Sequence, residues 1–268
     1  MENIRINKFL SEKGVCSRRE ADRLITEGRV HINGIICEPG QKVGSGDIVT
    51  VDNKKVDIDL EVKPELVAFY KPRGIVCTTS DRDRARNVID YIDYDARLFP
   101  IGRLDKESEG LLLLTNRGEL VNLINKSVNG HEKEYIVRCE RRLTDGFLRK
   151  FSQGVDIKIP IENKPGASSD NNKRNAGRQA ETSVRRYKHV ITKPCKVVKI
   201  DDYTFNIILT QGLNRQIRRM CAALGNSVLK LKRVRIMNIV LGDLKEGEFR
   251  QVEGRELKEL EKTLGLIK

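Results

Sequence analysis

From Glu65 onward the apolar residues of this chain fall in short strand-like stretches, 66–70, 99–103 and 111–115 among them, that do not alternate regularly with helices. Strict alternation would build a parallel sheet with crossover helices. This order instead predicts an α+β fold, with a largely antiparallel mixed sheet flanked by helices. Further strands are expected over 74–78, 134–139, 195–200, 204–210, 229–232 and 235–241. Helices are expected over 87–92, from Glu119, and over 143–153 and 215–224. Lys71-Pro72-Arg73 and 104–110 read as loops. At 268 residues the chain has room for one ordinary domain and a small module.

The first fifty residues read as that module. Residues 6–13 form a short helix closed by Gly14. Ser17-Arg18-Arg19-Glu20 has the form of a capping box, and Ala21, Leu24 and Ile25 follow at helical spacing before Gly28. Val30 to Ile35 alternates through Asn33-Gly34, a strong hairpin signal. Another strand is expected over 43–51, and residues 53–64 read as a linker. Arg5, Lys8, Arg18, Arg19 and Arg23 lie on or between the two helices. On position alone they read equally well as ordinary helix-surface charge.

The chain carries 51 Lys and Arg against 38 Asp and Glu, a net charge of +13. Residues 164–199 hold ten basic side chains against two acidic, and 205–250 nine against three. Such stripes suggest a polyanion, most often nucleic acid. Residues 163–182 hold almost no large apolar residue and read as a flexible basic loop. No stretch approaches the roughly 20 apolar residues of a membrane span. The first thirteen residues are charged throughout, so no secretory signal is expected and the chain is read as cytoplasmic. The six cysteines stand at least 21 positions apart and the three histidines are scattered. Reduced thiols and no metal site are the expectation.

Two features could carry chemistry. Asp105 lies on a loop between apolar strands, a rigid support for a reactive group, with Arg103 two positions earlier. On spacing alone, a surface ion pair with Arg103 or Lys106 is the simpler account. The second feature is Gly212 to Cys221. Ile217, Met220, Cys221 and Leu224 form a core-facing stripe. Arg215, Arg218 and Arg219 load the first turns with cations that oppose the helix dipole, a pattern expected beside an anion.

These residues fall into recognisable motifs. Arg5-x-Asn7-Lys8-Phe9-Leu10, Gly14-x-Cys16-Ser17-Arg18-Arg19-Glu20-Ala21-Asp22 and Gly28-Arg29-Val30-x-Ile32-Asn33-Gly34 resemble the RNA-binding module named after ribosomal protein S-four. Gly102-Arg103-Leu104-Asp105, Lys133-Glu134-Tyr135 and Arg215-Gln216-Ile217-Arg218-Arg219-Met220 resemble the RsuA/RluF family of RNA pseudouridine synthases. Tyr70-Lys71-Pro72-x-Gly74 and Leu231-x-Arg233-x-x-Ile236 look like that family's flanking segments. The resemblance implies an isomerase of large-subunit ribosomal RNA, working without cofactor or metal and expected to be monomeric. A non-catalytic ribosomal-RNA-binding or assembly protein, or the same enzyme on small-subunit or transfer RNA, are the alternatives. The resemblance makes Asp105 the catalytic aspartate, packs Tyr135 against the target base and pairs Arg218 with Asp105. RNA contacts are expected from Arg5, Lys8, Arg18, Arg19, Arg23, Arg103, Arg215, Arg219 and Arg233. The implied layout is a module and linker over 1–60, a catalytic domain over 61–255 and a C-terminal helix over 256–268. Residues 163–182 read as an insertion that the family does not explain.

Overall fold

The computed structural model describes residues 3–57, 63–77, 87–126, 130–161 and 186–268. The loop expected over 163–182 lies outside them, as do parts of the expected linker and of the strand expected over 74–78. The chain divides into two compact units, residues 1–129 with 237–268, and residues 130–236.

The first unit begins with β1 (Ile4–Arg5), α1 (Ile6–Glu12) and α2 (Arg18–Thr26). β2 (Val30–Ile32), β3 (Ile35–Ile36), β4 (Lys42–Val43), β5 (Val49–Val51) and β6 (Lys54–Lys55) follow. Ser17 caps α2 by accepting the Glu20 N–H at 3.0 Å, as the capping motif predicts. The Glu20 carboxylate, however, accepts from Arg23. Asn33 and Gly34 take φ of 54° and 79°, the left-handed pair that a two-residue hairpin requires between β2 and β3. The single strand expected over 43–51 is instead two short ones. The chain turns between them where the Asp47 carboxylate accepts the Gly44 N–H and Gly46 takes φ of 92°. Ile6, Phe9, Leu10, Ala21, Leu24 and Val30 belong to a core drawn only from residues before Asp57.

β7 (Leu66–Lys71), α3 (Val88–Ile92), β8 (Phe99–Ile101), β9 (Glu109–Thr115) and α4 (Gly118–Asn125) continue the unit. β9 pairs antiparallel with both β7 and β8. Every residue of β7, and nearly all of β9, is buried, which is why both read as continuous apolar runs. The strand expected from Gly74 is a turn followed by one parallel bridge, Val76 to Asn87. Pro72 has no N–H to continue a ladder, and Gly74 reverses the chain at φ of 88°.

The second unit holds β10 (Lys133–Cys139), α5 (Asp145–Gln153), β11 (Asp156–Pro160), β12 (Tyr187–Ile191), β13 (Lys196–Lys199), β14 (Thr204–Leu209), α6 (Gln216–Ala223) and β15 (Val228–Ile236). Its sheet runs β13-β14-β10-β15, antiparallel throughout, and β11 pairs with β12 as a separate ribbon. The core gathers Val137, Phe151, Ile157, Phe205, Ile217 and Met220. Phe151 meets Phe205 edge-on at 5.2 Å between ring centroids. The two strands expected over 229–241 begin as one nine-residue strand, β15. Its interior cations hide the alternation, because Arg233 is itself buried beside Leu231. β16 (Ile239–Val240), β17 (Phe249–Gln251) and α7 (Gly254–Thr263) return to the first unit, where β17 pairs with β7. Arg117 bonds Glu261 of α7, and Asn238 donates to Glu256 O at 2.8 Å.

Candidate active site

In the first unit, Asp105 sits on the connection between β8 and β9, and the main chain of that connection is held from several sides. The Leu104 N–H reaches Cys77 Sγ at 3.4 Å, and the Gly74 N–H donates to Lys106 O at 2.7 Å. The Ser108 N–H closes the turn on Asp105 O at 3.0 Å. Gly102 enters the loop at φ of 76°, and a Cβ there would stand 2.9 Å from Asn125 Oδ1. Leu104 and Ser108 are buried, while Asp105 is half-buried and Arg103 exposed. The backbone of the loop is thus fixed.

Part of that fixing comes from a residue the sequence placed in a loop. Lys71 ends β7 completely buried, and its ammonium donates to Pro72 O at 2.7 Å and Ser108 O at 2.8 Å. An ammonium withdrawn from water requires such acceptors. The one signal for this role was its place directly after the apolar run 66–70.

In the second unit, Lys133, Tyr135 and Val137 alternate onto one face of β10. Tyr135 is half-buried against the core and lies opposite Arg233 of β15, itself 2% exposed. Burial, together with the neighbouring Arg233 charge, lowers the Lys133 ammonium to about 8. On the other face, Glu134 accepts from Arg235 and from Asn206, both at 2.7 Å. The bond from Arg235 holds that carboxyl below its usual range.

The α6 stripe is as expected, with Ile217, Met220 and Cys221 buried. Arg215 does not join the helix. It takes φ of 51° at the cap position, so the helix expected from residue 215 begins one residue later, at Gln216. Arg218 is half-buried and donates to Val228 O at 3.2 Å. Arg219 donates to Asn214 O at 3.0 Å, Asn214 Oδ1 at 3.1 Å and Lys158 O at 2.8 Å. Its guanidinium therefore ties α6 to β11.

Of the cations on the N-terminal helices, Arg5, Arg18 and Arg19 are exposed. Lys8 pairs with Glu12 at 3.5 Å, and Arg23 pairs with Glu20 and Glu27. Arg18 and Arg19 line a cleft of about 570 Å³ together with Asn87, Arg97, Asn116 and Asn122. Among the described residues, no cluster of three His, Cys, Asp or Glu side chains is placed to hold a metal, and no helix is long and apolar enough to cross a membrane.

An exposed basic helix pair ahead of an antiparallel sheet fits an enzyme that works on RNA. The RNA pseudouridylate synthase family model matches residues 65–223 and the S4 domain model residues 4–49, and the chain belongs to the RNA pseudouridylate synthases. It is 42% identical over 260 residues to the dual-specificity RNA pseudouridine synthase RluF of Salmonella typhi, covering 97% of this chain and 79% of that one. It is 32% identical to the ribosomal large subunit pseudouridine synthase B of Bacillus subtilis (strain 168), over 96% and 95% of the two chains. A crystal structure of a pseudouridylate synthase superimposes with a TM-score of 0.61 at 27% identity, covering 97% of this chain and 99% of that one. The expected family and antiparallel α+β class are therefore correct.

Proposed function

We propose that this enzyme converts a specific uridine of large-subunit ribosomal RNA to pseudouridine through Asp105, acting as a monomer in the cytoplasm. The observation that carries the reading is the Asp105 loop, whose main chain is bonded at Leu104, Lys106 and Ser108 and on which Asp105 is half-buried. The large-subunit target is supported by the name of the Bacillus relative, at 32% identity. Residues 1–60 dock the folded RNA, and 61–255 carry out the chemistry.

The isomerisation breaks the bond from uracil N1 to the sugar C1′, turns the base and forms a bond from C5 to C1′. The C5 proton leaves and N1 gains one, so no atom is added or lost overall. Asp105 acts on the sugar either as nucleophile or as base, and both routes need an ionised carboxylate. In this reading Arg218 supplies the counter-charge to Asp105. Tyr135 offers its ring to the uracil flipped out of its stack.

Asp105→Asn keeps side-chain size and removes the charge. Tritium release from RNA labelled at uridine C5 is expected to fall below detection, with RNA affinity equal or slightly higher. Near-normal release sinks the assignment of Asp105. Pseudouridine mapping in cells with and without the gene locates the target. A site in transfer or small-subunit RNA alone overturns the large-subunit assignment, and no missing site assigns the protein to RNA binding without catalysis.

A further inference from the structure

The cleft that Arg18 and Arg19 line is closed on its other sides by residues between Asn87 and Phe99 and by α4, all within the first unit. Its apolar wall is made by Ile89, Phe99 and Val121, each half-buried, with Leu98 buried among them. Arg97 lays its guanidinium over the Phe99 ring, 5.6 Å from the centroid. Among the described residues, none of Arg18, Arg19 and Arg97 forms an ion pair, whereas Lys8 and Arg23 on the same helices are paired. Two carboxylates also line the cleft. Glu12 belongs to Lys8 at 3.5 Å, and Asp90 accepts from the Asn87 amide. Three unpaired guanidiniums therefore stand against one carboxylate, Asp90. The Asn116 amide is committed to the Glu65 N–H and the Lys63 carbonyl, which leaves the exposed Asn122 amide for a guest. At about 570 Å³ the cleft has the size of a site for one small organic group. An apolar wall, a guanidinium plane, one amide and two further cations match a nucleotide, whose base stacks while its phosphates seek charge. An acidic peptide would satisfy the arginines and leave the stacking platform unused.

We propose that this cleft takes one unpaired nucleotide of the substrate RNA, its base on the Arg97–Phe99 platform beside Asn122 and its flanking phosphates on Arg18 and Arg19. The inference rests on RNA being the substrate, and it extends RNA contact from the N-terminal helices onto β8 and α4. The full-length enzyme is tested as Val121→Trp, Arg97→Gln, their double variant and Arg19→Ser. A short fluorescein-labelled oligouridylate is the binding probe and a 23S ribosomal RNA transcript the substrate. Val121→Trp fills the cleft without altering a charge. It is expected to weaken oligouridylate binding roughly five- to hundredfold, the range of one lost base stack, at an unchanged salt slope. Arg97→Gln is expected to lose affinity in the same range. The double variant should lose no more than the weaker single variant, because both changes remove the same contact. Arg19→Ser lowers the log–log salt slope by about 0.7. Wild-type affinity in Val121→Trp overturns the proposal, since a purely electrostatic surface is indifferent to the shape of the cleft. Losses that add in the double variant overturn it too. Should Val121→Trp melt below wild type, Arg97→Gln decides, and wild-type affinity there overturns the proposal. If wild-type protein binds the oligouridylate through this cleft yet forms no pseudouridine in the transcript, the large-subunit target fails and the cleft assignment stands.

Discussion

The Lys71 ammonium, buried at the end of β7, donates at 2.8 Å to the carbonyl of Ser108, and the Ser108 N–H closes on the carbonyl of Asp105. One lysine thereby couples a core strand to the turn that carries Asp105. The sequence marks Lys71 only as part of a flanking motif, and its bond to Ser108 O braces the turn that holds Asp105.

Lys71→Met fills much of the same volume and leaves the carbonyls of Pro72 and Ser108 without their buried donor. A loss of about 2 kcal/mol in stability is expected from urea unfolding. The single-turnover rate is expected to fall roughly ten- to hundredfold as the Asp105 turn loosens. Unchanged turnover in a destabilised but folded variant would restrict Lys71 to holding the fold.

Deleting residues 1–62 separates docking from chemistry. The N-terminal helices pack on a core of their own, and β7 and β9 are buried in a separate ladder. A chain beginning at Lys63 is expected to unfold cooperatively and to retain C5 tritium release on a short RNA at high concentration. Its affinity for the full substrate should fall at least tenfold, with a shallower salt dependence, since the exposed Arg5, Arg18 and Arg19 are gone. Wild-type affinity and site selection in the shortened chain would make the helix pair dispensable.

Much of this architecture was legible because local and global signals agree. The Ser17 cap, the Asn33-Gly34 turn and the α6 stripe each follow from short-range chemistry that the tertiary fold leaves intact. The misreadings occur where tertiary structure buries a charge or exposes an apolar group. Lys71 and Arg233 are core residues that a sequence presents as surface, so β7 was ended early and β15 cut in two. β11 and β12 went unread because half of the ribbon faces solvent and its strands lie far apart in sequence. The motif residues named the site by resemblance, and spacing alone did not raise Asp105 above an ion pair.

Lys133 makes stability depend on alkaline pH. Its ammonium is lowered to about 8 by burial and by Arg233, against an ordinary value near 10.4 in the unfolded chain. A folded-state value below the unfolded one means that the unfolded chain binds more protons between those limits, so stability rises as pH increases from about 8 to 10.4. The rise should be on the order of 2 kcal/mol. Lys133→Met should be more stable than wild type below pH 8, and the difference should shrink by pH 10. Urea midpoints measured for both proteins at the two ends of that window check the sign. A difference independent of pH would show that Lys133 is fully solvated.

Arg218 and Arg219 are adjacent on α6 and should fail in opposite ways. Arg219 places its guanidinium on Asn214 and on the Lys158 carbonyl, so it fastens the helix to the ribbon. Arg219→Ala should cost about 1 kcal/mol of stability, loosen β11–β12 in hydrogen exchange and leave kcat within about twofold of wild type. Arg218 donates to Val228 O and is proposed as the counter-ion of Asp105. Arg218→Ala should lose at least a hundredfold in kcat, because the proposed counter-charge to Asp105 is gone. The substrate-saturated rate of Arg219→Ala should match wild type. The reverse pattern, with turnover lost in Arg219→Ala and kept in Arg218→Ala, would exchange the two roles and move the anion site of α6 to the outward-facing arginine.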